Sequence, residues 1–190
     1  MKAHVRFLGI DDAPFTFLDD HTWVVGAVVR APTYLEGVMR TSVTVDGTDG
    51  VAAIAGMVNR SRYREGLAVI LLDGITVGGF NVIDIRALSE ETGLPVVSVT
   101  RRRPDTAAMV RALGRRFADW ESRAALVTRE KPFAVKTGHK PLYANAAGIS
   151  AAEATEAIRL ATVRGAIPEP IRVAHLIAAA YARGESRGRA

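Results

Sequence analysis

Acidic residues close three runs of the chain: Gly9-Ile10-Asp11-Asp12, Val45-Asp46-Gly47-Thr48-Asp49 and Leu72-Asp73-Gly74. Each run reads as a β-strand, and if the strands lie side by side their carboxylates converge on one point. Hard carboxylate oxygens hold Mg²⁺ or Mn²⁺. Two such cations about 3.5 to 4 Å apart hydrolyse phosphodiesters, one activating water and the other stabilising the leaving oxygen. The candidate metal ligands are Asp11, Asp12, Asp46 and Asp73, with Asp11, Asp46 and Asp73 as the catalytic set.

Each candidate has a plainer reading beside it. Asp73 ends an unbroken apolar run and precedes Gly74, which lets the backbone turn while the side chain points over the sheet edge; Asp-Gly is also a common turn. Asp11 and Asp12 point to opposite faces if the strand continues, so only one of them faces the site directly. Asp46 is the better ligand of its pair, and Asp49 the better N-cap for the helix that follows. Arg101-Arg102-Arg103 follows a strand on the same expected edge and could clamp phosphate through paired guanidinium hydrogen bonds, or simply be solvated. Lys136, His139 and Lys140 form a smaller basic turn with the same two readings. His175, in Arg172-Val173-Ala174-His175-Leu176-Ile177, is either a packed histidine or, if its helix lies beside the carboxylates, a water activator or ligand. With Asp49 and Asn81 it completes the accessory candidates.

The elements that must position these residues follow from periodicity. His4 to Ile10, Thr22 to Arg30 and Tyr34 to Val45 read as three strands joined by short connections, hence an antiparallel meander. Val51 to Arg64 has the spacing of an amphipathic helix. Leu67 to Leu72 has no polar alternation and suits a strand buried on both faces. After the glycine-containing loop 75–79, Phe80 to Glu91 reads as a helix and Pro95 to Thr100 as a strand, which imposes a parallel pair. Pro104 and Asp105 open a helix to Phe117, and Asp119 to Thr128 either extends it or forms a strand. Phe133 to Asn145 reads as a hairpin around Gly138-His139. Ser150 with Glu153 is a capping box for a helix to Val163, and Pro168 starts another to about Arg183. Three antiparallel strands, a helix, then parallel strands joined by helices is the order of a ribonuclease H-like α/β fold: a mixed sheet flanked by helices. Its active site lies where the first strand meets the strand after the first helix.

Composition narrows the functional classes. The chain has 190 residues, 48% hydrophobic and 24% charged, so one globular domain over 1–183 is expected, followed by a loose basic tail over 184–190. It contains no cysteine, which excludes thiolate metal sites and disulfides. Neither a signal peptide nor an apolar run of roughly 18 residues is found, so a cytosolic address is expected. The formal charge is +5, and of the 25 basic residues all but Lys2, Lys131, Lys136 and Lys140 are arginines. That charge suits a nucleic-acid partner, although the arginine bias also fits GC-rich codon usage.

Four segments carry a family resemblance: Leu8-Gly9-Ile10-Asp11-Asp12-Ala13-Pro14-Phe15, Leu71-Leu72-Asp73-Gly74-Ile75-Thr76, Gly79-Phe80-Asn81-Val82 and Ile167-Pro168-Glu169-Pro170-Ile171-Arg172-Val173-Ala174-His175-Leu176-Ile177. The chain resembles, over nearly its whole length, the mainly archaeal family known as domain of unknown function 99. That family is similar to endonuclease V, a Mg²⁺-dependent nuclease with a ribonuclease H-like core that acts near deaminated bases. The resemblance places the first-strand aspartate on Asp11, with Asp12 adjacent, the second carboxylate near Asp46, where endonuclease V has glutamate, and the third on Asp73. It supplies no equivalent of the wedge that endonuclease V uses to recognise its base, nor of that enzyme's long loop after the Asp-Gly pair. What it implies is therefore the metal site and not the deaminated-base substrate. The expected function is a divalent-metal-dependent nuclease or other phosphodiester-handling enzyme acting on DNA or RNA. The rival is a non-catalytic nucleic-acid or nucleotide-binding protein of the same fold. A small-molecule phosphate enzyme is a weaker third reading, because the Gly78-Gly79 loop lacks the spacing of a nucleotide-binding motif.

Overall fold

A computed structural model describes residues 5–186. Its centre is a seven-stranded mixed sheet in the order β3-β2-β1-β4-β7-β9-β8. Strands β1 (Arg6–Asp12), β2 (His21–Arg30) and β3 (Tyr34–Thr44) form the expected antiparallel meander. β4 (Leu67–Asp73) runs parallel to β1, and β7 (Val96–Thr100) parallel to β4. β9 (Leu142–Ala147) returns antiparallel to β7 and pairs in a hairpin with β8 (Phe133–Val135).

Side-chain alternation along the central strands divides the core in two. Leu8, Ile10, Ile70 and Leu72 pack under α1 (Gly50–Asn59) and α2 (Ile85–Thr92). Phe7, Val69, Leu71, Val97 and Val99 pack on the other face under α5 (Ala151–Ala161) and the start of α6 (Glu169–Arg183). Because both faces are covered, β4 carries an unbroken apolar run, which is why that strand is legible in the sequence. α6 continues across Val25 and Ala27 through Ala174 and Ala178, small residues that let the helix sit close to the sheet. The closest approach is at Gly9, where an added Cβ would fall 2.0 Å from the Pro170 carbonyl carbon.

Several boundaries differ from the expected ones. β1 continues through Asp11 and Asp12 instead of stopping at Ile10. The expected start at His4 lies outside the described residues, as do positions 187–190 of the expected tail. α1 ends at Asn59, and a short 3₁₀ turn at Arg64–Gly66 leads into β4. No helix starts at Phe80. Instead β5 (Thr76–Val77) and β6 (Asn81–Val82) form a small hairpin, and α2 begins after Asp84, whose side chain accepts from the Arg86 and Ala87 N–H groups. That cap sets the boundary, because it satisfies N–H groups at the helix start. Residues 119–128 form neither an extension nor a strand. α3 (Thr106–Arg116) ends at an extended Phe117, and a separate helix α4 (Trp120–Arg129) packs back on it over Val82, Leu113 and Val127. The Ser150–Glu153 capping box is formed as expected.

Candidate active site

The C-terminal ends of β1 and β4 bring two expected acids together. Ile10 pairs with Leu72 in the parallel ladder, so one residue further on Asp11 stands beside Asp73. Alternation turns both toward the α6 face and sends Asp12 to the opposite one. On the α6 face His175 Nδ1 lies 2.7 Å from Asp11 Oδ2, a contact whose proton sits on the ring or on the carboxyl. Asp11 Oδ1 accepts from the Asp12 N–H at 2.9 Å, while Asp12 Oδ2 accepts from the Gly78 N–H at 3.1 Å.

Burial and crowding at these strand ends favour the protonated carboxyls. Burial, then the neighbouring charges of Asp73 and Asp12, push the Asp11 carboxyl up to about 8, against the pull of the Asp12 N–H and Arg101. Burial raises Asp12 to about 6, opposed by its hydrogen bond from Gly78. Asp73 is exposed at its outer edge, yet the dense protein around it still raises its pKa, with Arg101 and His175 acting in the opposite direction. Like-charged carboxyls crowded at one strand edge favour a proton or a cation.

Among the described residues, no group of three or more His, Cys, Asp or Glu side chains forms a ready-made metal cluster. A hard divalent cation does not require one. Mg²⁺ keeps several waters and is commonly held by one or two carboxylates together with substrate phosphate. The oxygen-only pair Asp11 and Asp73 fits such a cation on its donor chemistry.

Asp46 is engaged elsewhere. Its Oδ1 accepts from the Phe80 N–H at 2.7 Å, and Arg116 Nη2 donates to Oδ2 at 2.9 Å. Asp46 has φ +57, in the left-handed region that aspartate tolerates better than most residues. Gly79, facing it with φ +88, leaves room for the carboxylate, since a Cβ there would lie 2.3 Å from Asp46 Oδ1. Asp49 occupies the N-cap position of α1 but makes no cap hydrogen bond. Its carboxylate turns back to accept from the Thr44 N–H, the Thr44 hydroxyl at 2.9 Å and Asn81 Nδ2 at 2.6 Å. Asn81 takes over the capping, its Oδ1 accepting from the Gly50 N–H at 3.0 Å. Asp49 and Asn81 thus tie the exit of β3 to the β5–β6 hairpin.

The basic candidates share the sheet edge of the acids. Arg101, Arg102 and Arg103 are exposed just past β7, the strand next to β4. Thr100 pairs with Tyr143 and Val135 with Leu142, so the β8–β9 turn with exposed Lys136, His139 and Lys140 projects from that same end of the sheet. Two arginines escaped sequence reasoning. Arg116 reaches Asp46 from the end of α3, and buried Arg123 donates through Nη1 to the carbonyls of Asp46, Gly47 and Phe80 at 2.9, 3.0 and 2.7 Å. The Asp119–Arg123 spacing signals only their local ion pair; nothing in it signals the three carbonyls.

A mixed sheet in this order, with carboxylates at the ends of β1 and β4, defines a ribonuclease H-like protein with an acidic sheet edge. The chain belongs to the endonuclease dU family, whose model matches residues 3–182 and which is the same family as domain of unknown function 99. A UPF0215 protein of Methanothermobacter thermautotrophicus is 48% identical over 191 residues, spanning 100% of this chain and 94% of its own. A crystal structure of a protein of unknown function from Archaeoglobus fulgidus superposes with a TM-score of 0.84 at 38% identity, over 93% of this chain and 98% of that one. Endonuclease V of Ciona intestinalis, solved with a 24mer DNA containing an inosine followed by a ribo-adenosine, gives 0.60 at 14% identity, over 90% and 83% of the two chains. At that identity the likeness establishes the shared fold. Family and fold together mark the chain as nuclease-related.

Proposed function

We propose that this protein is a divalent-metal-dependent endonuclease that cuts DNA carrying deoxyuridine. The observation that carries the proposal is the pairing of Asp11 with Asp73 on adjacent parallel strand ends, both with raised pKa values. The family description supports a deaminated base as the substrate in this reading, which the sequence resemblance alone did not carry over.

In this reading Asp11 and Asp73 hold the cation, while Asp12 faces the other side of the sheet and is held by the Gly78 N–H. When bound, Mg²⁺ or Mn²⁺ supplies activation of water and stabilisation of the leaving oxygen. His175 positions Asp11 through their 2.7 Å contact, so that one of its oxygens is directed by the helix while the other takes the Asp12 N–H. Arg101 counters the charge of Asp11 and Asp73, and in this reading it would contact the scissile phosphate. Arg102, Arg103, Lys136 and Lys140 extend a cationic track for the rest of the strand. Asp46 enters the metal site only if Arg116 releases it; otherwise it fixes the wall of the site.

The engagement of both Asp46 oxygens is the observation that favours the rival, a binding protein of this fold that does not cut. The two readings separate in a cleavage assay in Mg²⁺ or Mn²⁺ on matched duplexes carrying deoxyuridine, deoxyinosine or no altered base. The nuclease reading expects cutting of the deoxyuridine duplex, lost in Asp73→Asn. Salt-sensitive binding of all three duplexes without cutting in either metal would instead support the binding protein.

A further inference from the structure

The face of the sheet that carries Asp11 and Asp73 continues toward the β3 edge as a row of paired residues. Asp11 stands opposite Val25 on β2, and Val25 opposite Arg40 on β3, so the three side chains leave the same face. Two strand spacings put Arg40 about 10 Å from Asp11, on the far side of the acids from the Arg101–Arg103 segment. Trp23, two residues along β2 from Val25, shares that face. The C-terminal half of α6 passes over the row and brings Ile177 and Tyr181 to it.

Here a cation is held by rings instead of by an anion. The Arg40 guanidinium lies 3.9 Å from the centroid of the Trp23 ring and 5.3 Å from that of Tyr181, and the two rings meet edge to face at 5.7 Å. Among the described residues no carboxylate pairs with Arg40, whereas Arg116, Arg129 and Arg172 each meet one. Trp23 is 36% exposed and Tyr181 54% exposed. With Val25, Val38 and Ile177 they line an open groove of about 280 Å³. That is smaller than the pockets that enclose a whole small molecule, so the groove suits one part of a longer ligand. An aromatic wall, an apolar floor and a guanidinium with its N–H donors to spare call for a ligand that is flat at one end and anionic at the other. A nucleotide is both: its base stacks on an exposed ring, and its phosphate takes paired hydrogen bonds from arginine.

We infer that Trp23, Arg40 and Tyr181 form a subsite for a single-stranded nucleotide that flanks the one held at Asp11 and Asp73, with Arg40 taking its phosphate and the Tyr181 ring its base. Trp23 positions Arg40 from below. The subsite continues the path of the strand across the sheet, from the Arg101–Arg103 segment past the acids to β3. The inference rests on the nuclease reading for what lies at the acids, and on the row of paired residues for the path.

The test uses the full chain and single-stranded DNA that carries one deoxyuridine and either ends beside it or runs several nucleotides further, on the 5′ or on the 3′ side. Affinities are measured in Ca²⁺, with gels run alongside to report any cutting. For one of the two sides, lengthening the strand should raise the affinity of the parent protein about tenfold. Arg40→Gln/Tyr181→Ala should lose most of that gain while melting like the parent, because both side chains are exposed. Tyr181→Phe should keep it, and Arg40→Gln alone should lower the slope of log affinity against log salt by about 0.7 on the longer strand. A double variant that gains as much as the parent overturns the inference, as does a parent that gains on neither side or binds no DNA. Failure of the nuclease reading is seen separately: a parent that shows the gain yet never cuts in Mn²⁺ keeps the subsite and loses the nuclease.

Discussion

In the proposed nuclease the chemistry turns on Asp11, whose protonated form is favoured by burial and two neighbouring acids. Its pKa in the folded protein, about 8, lies above the ordinary carboxylate value, so between about pH 4 and 8 the folded state binds more protons than the unfolded chain. Its contribution to stability is therefore fully present below about pH 4 and is lost as pH rises through about 8, with Asp12 adding a loss around pH 6 in the same direction. Melts in a chelator should accordingly show lower stability at pH 9 than at pH 6, and Asp11→Asn should flatten that slope. Saturating Mn²⁺ should restore stability at the alkaline end, by about 2.7 kcal/mol when its concentration is a hundred times its Kd. Asp11 and Asp73 are legible in the sequence because each ends a run with strand character. The companion roles are not. In the sequence Asp46 reads as the better ligand and Asp49 as the better cap, and only the fold shows that Arg116 and the Phe80 N–H take the first while Thr44 and Asn81 take the second.

At the scale of elements, the site depends on how closely α6 lies against β1. Gly9 allows that approach, and Gly9→Ala should push Pro170 away, move His175 from Asp11 and cost about 1–3 kcal/mol of stability in a denaturant melt. Cleavage should fall with it even though no acid has changed. α4 has a comparable task on the other side. Arg123→Met keeps much of the bulk but leaves three carbonyls without their donor, so a loss of about 1–3 kcal/mol is expected, together with loosening of the β5–β6 hairpin visible as faster amide exchange at Phe80 and Asn81. That hairpin is also where sequence periodicity misleads. Phe80, Val82, Ile83 and Ile85 fit a helical face as well as a strand, and the choice is made by distant partners: Asn81 capping α1 and Arg123 gripping the Phe80 carbonyl. The central strands needed no such help, since two-sided burial writes itself into an apolar run.

Across the whole molecule, the acids, the Arg101–Arg103 segment and the β8–β9 turn share one end of the sheet, so carboxylates and cationic groups meet at one edge of a chain whose net charge is +5. DNA affinity should fall steeply with salt, and replacing Arg101, Arg102 and Arg103 by alanine should reduce the slope of log affinity against log salt by about 0.9 for each phosphate contact removed. The residues that gather at this end come from nearly every part of the chain. Strand order and helix placement explain why: β1, β4 and β7 run parallel and finish together, and α6, the last element, folds back over the first. Sequence patterns reveal each strand in isolation, whereas the meeting of Asp11 with His175, 164 positions apart, exists only once the sheet is assembled.

The central claim is that Asp11 and Asp73 together hold a divalent cation. It is tested most directly by titrating Mn²⁺ into the wild-type protein and into Asp73→Asn by calorimetry at neutral pH, in two buffers of different ionisation enthalpy. The account expects saturable binding to the wild type with release of protons, because Asp11 must give up its own to bind metal, and loss of that binding in the variant. Equal Mn²⁺ binding by both proteins, or none by the wild type, would contradict it.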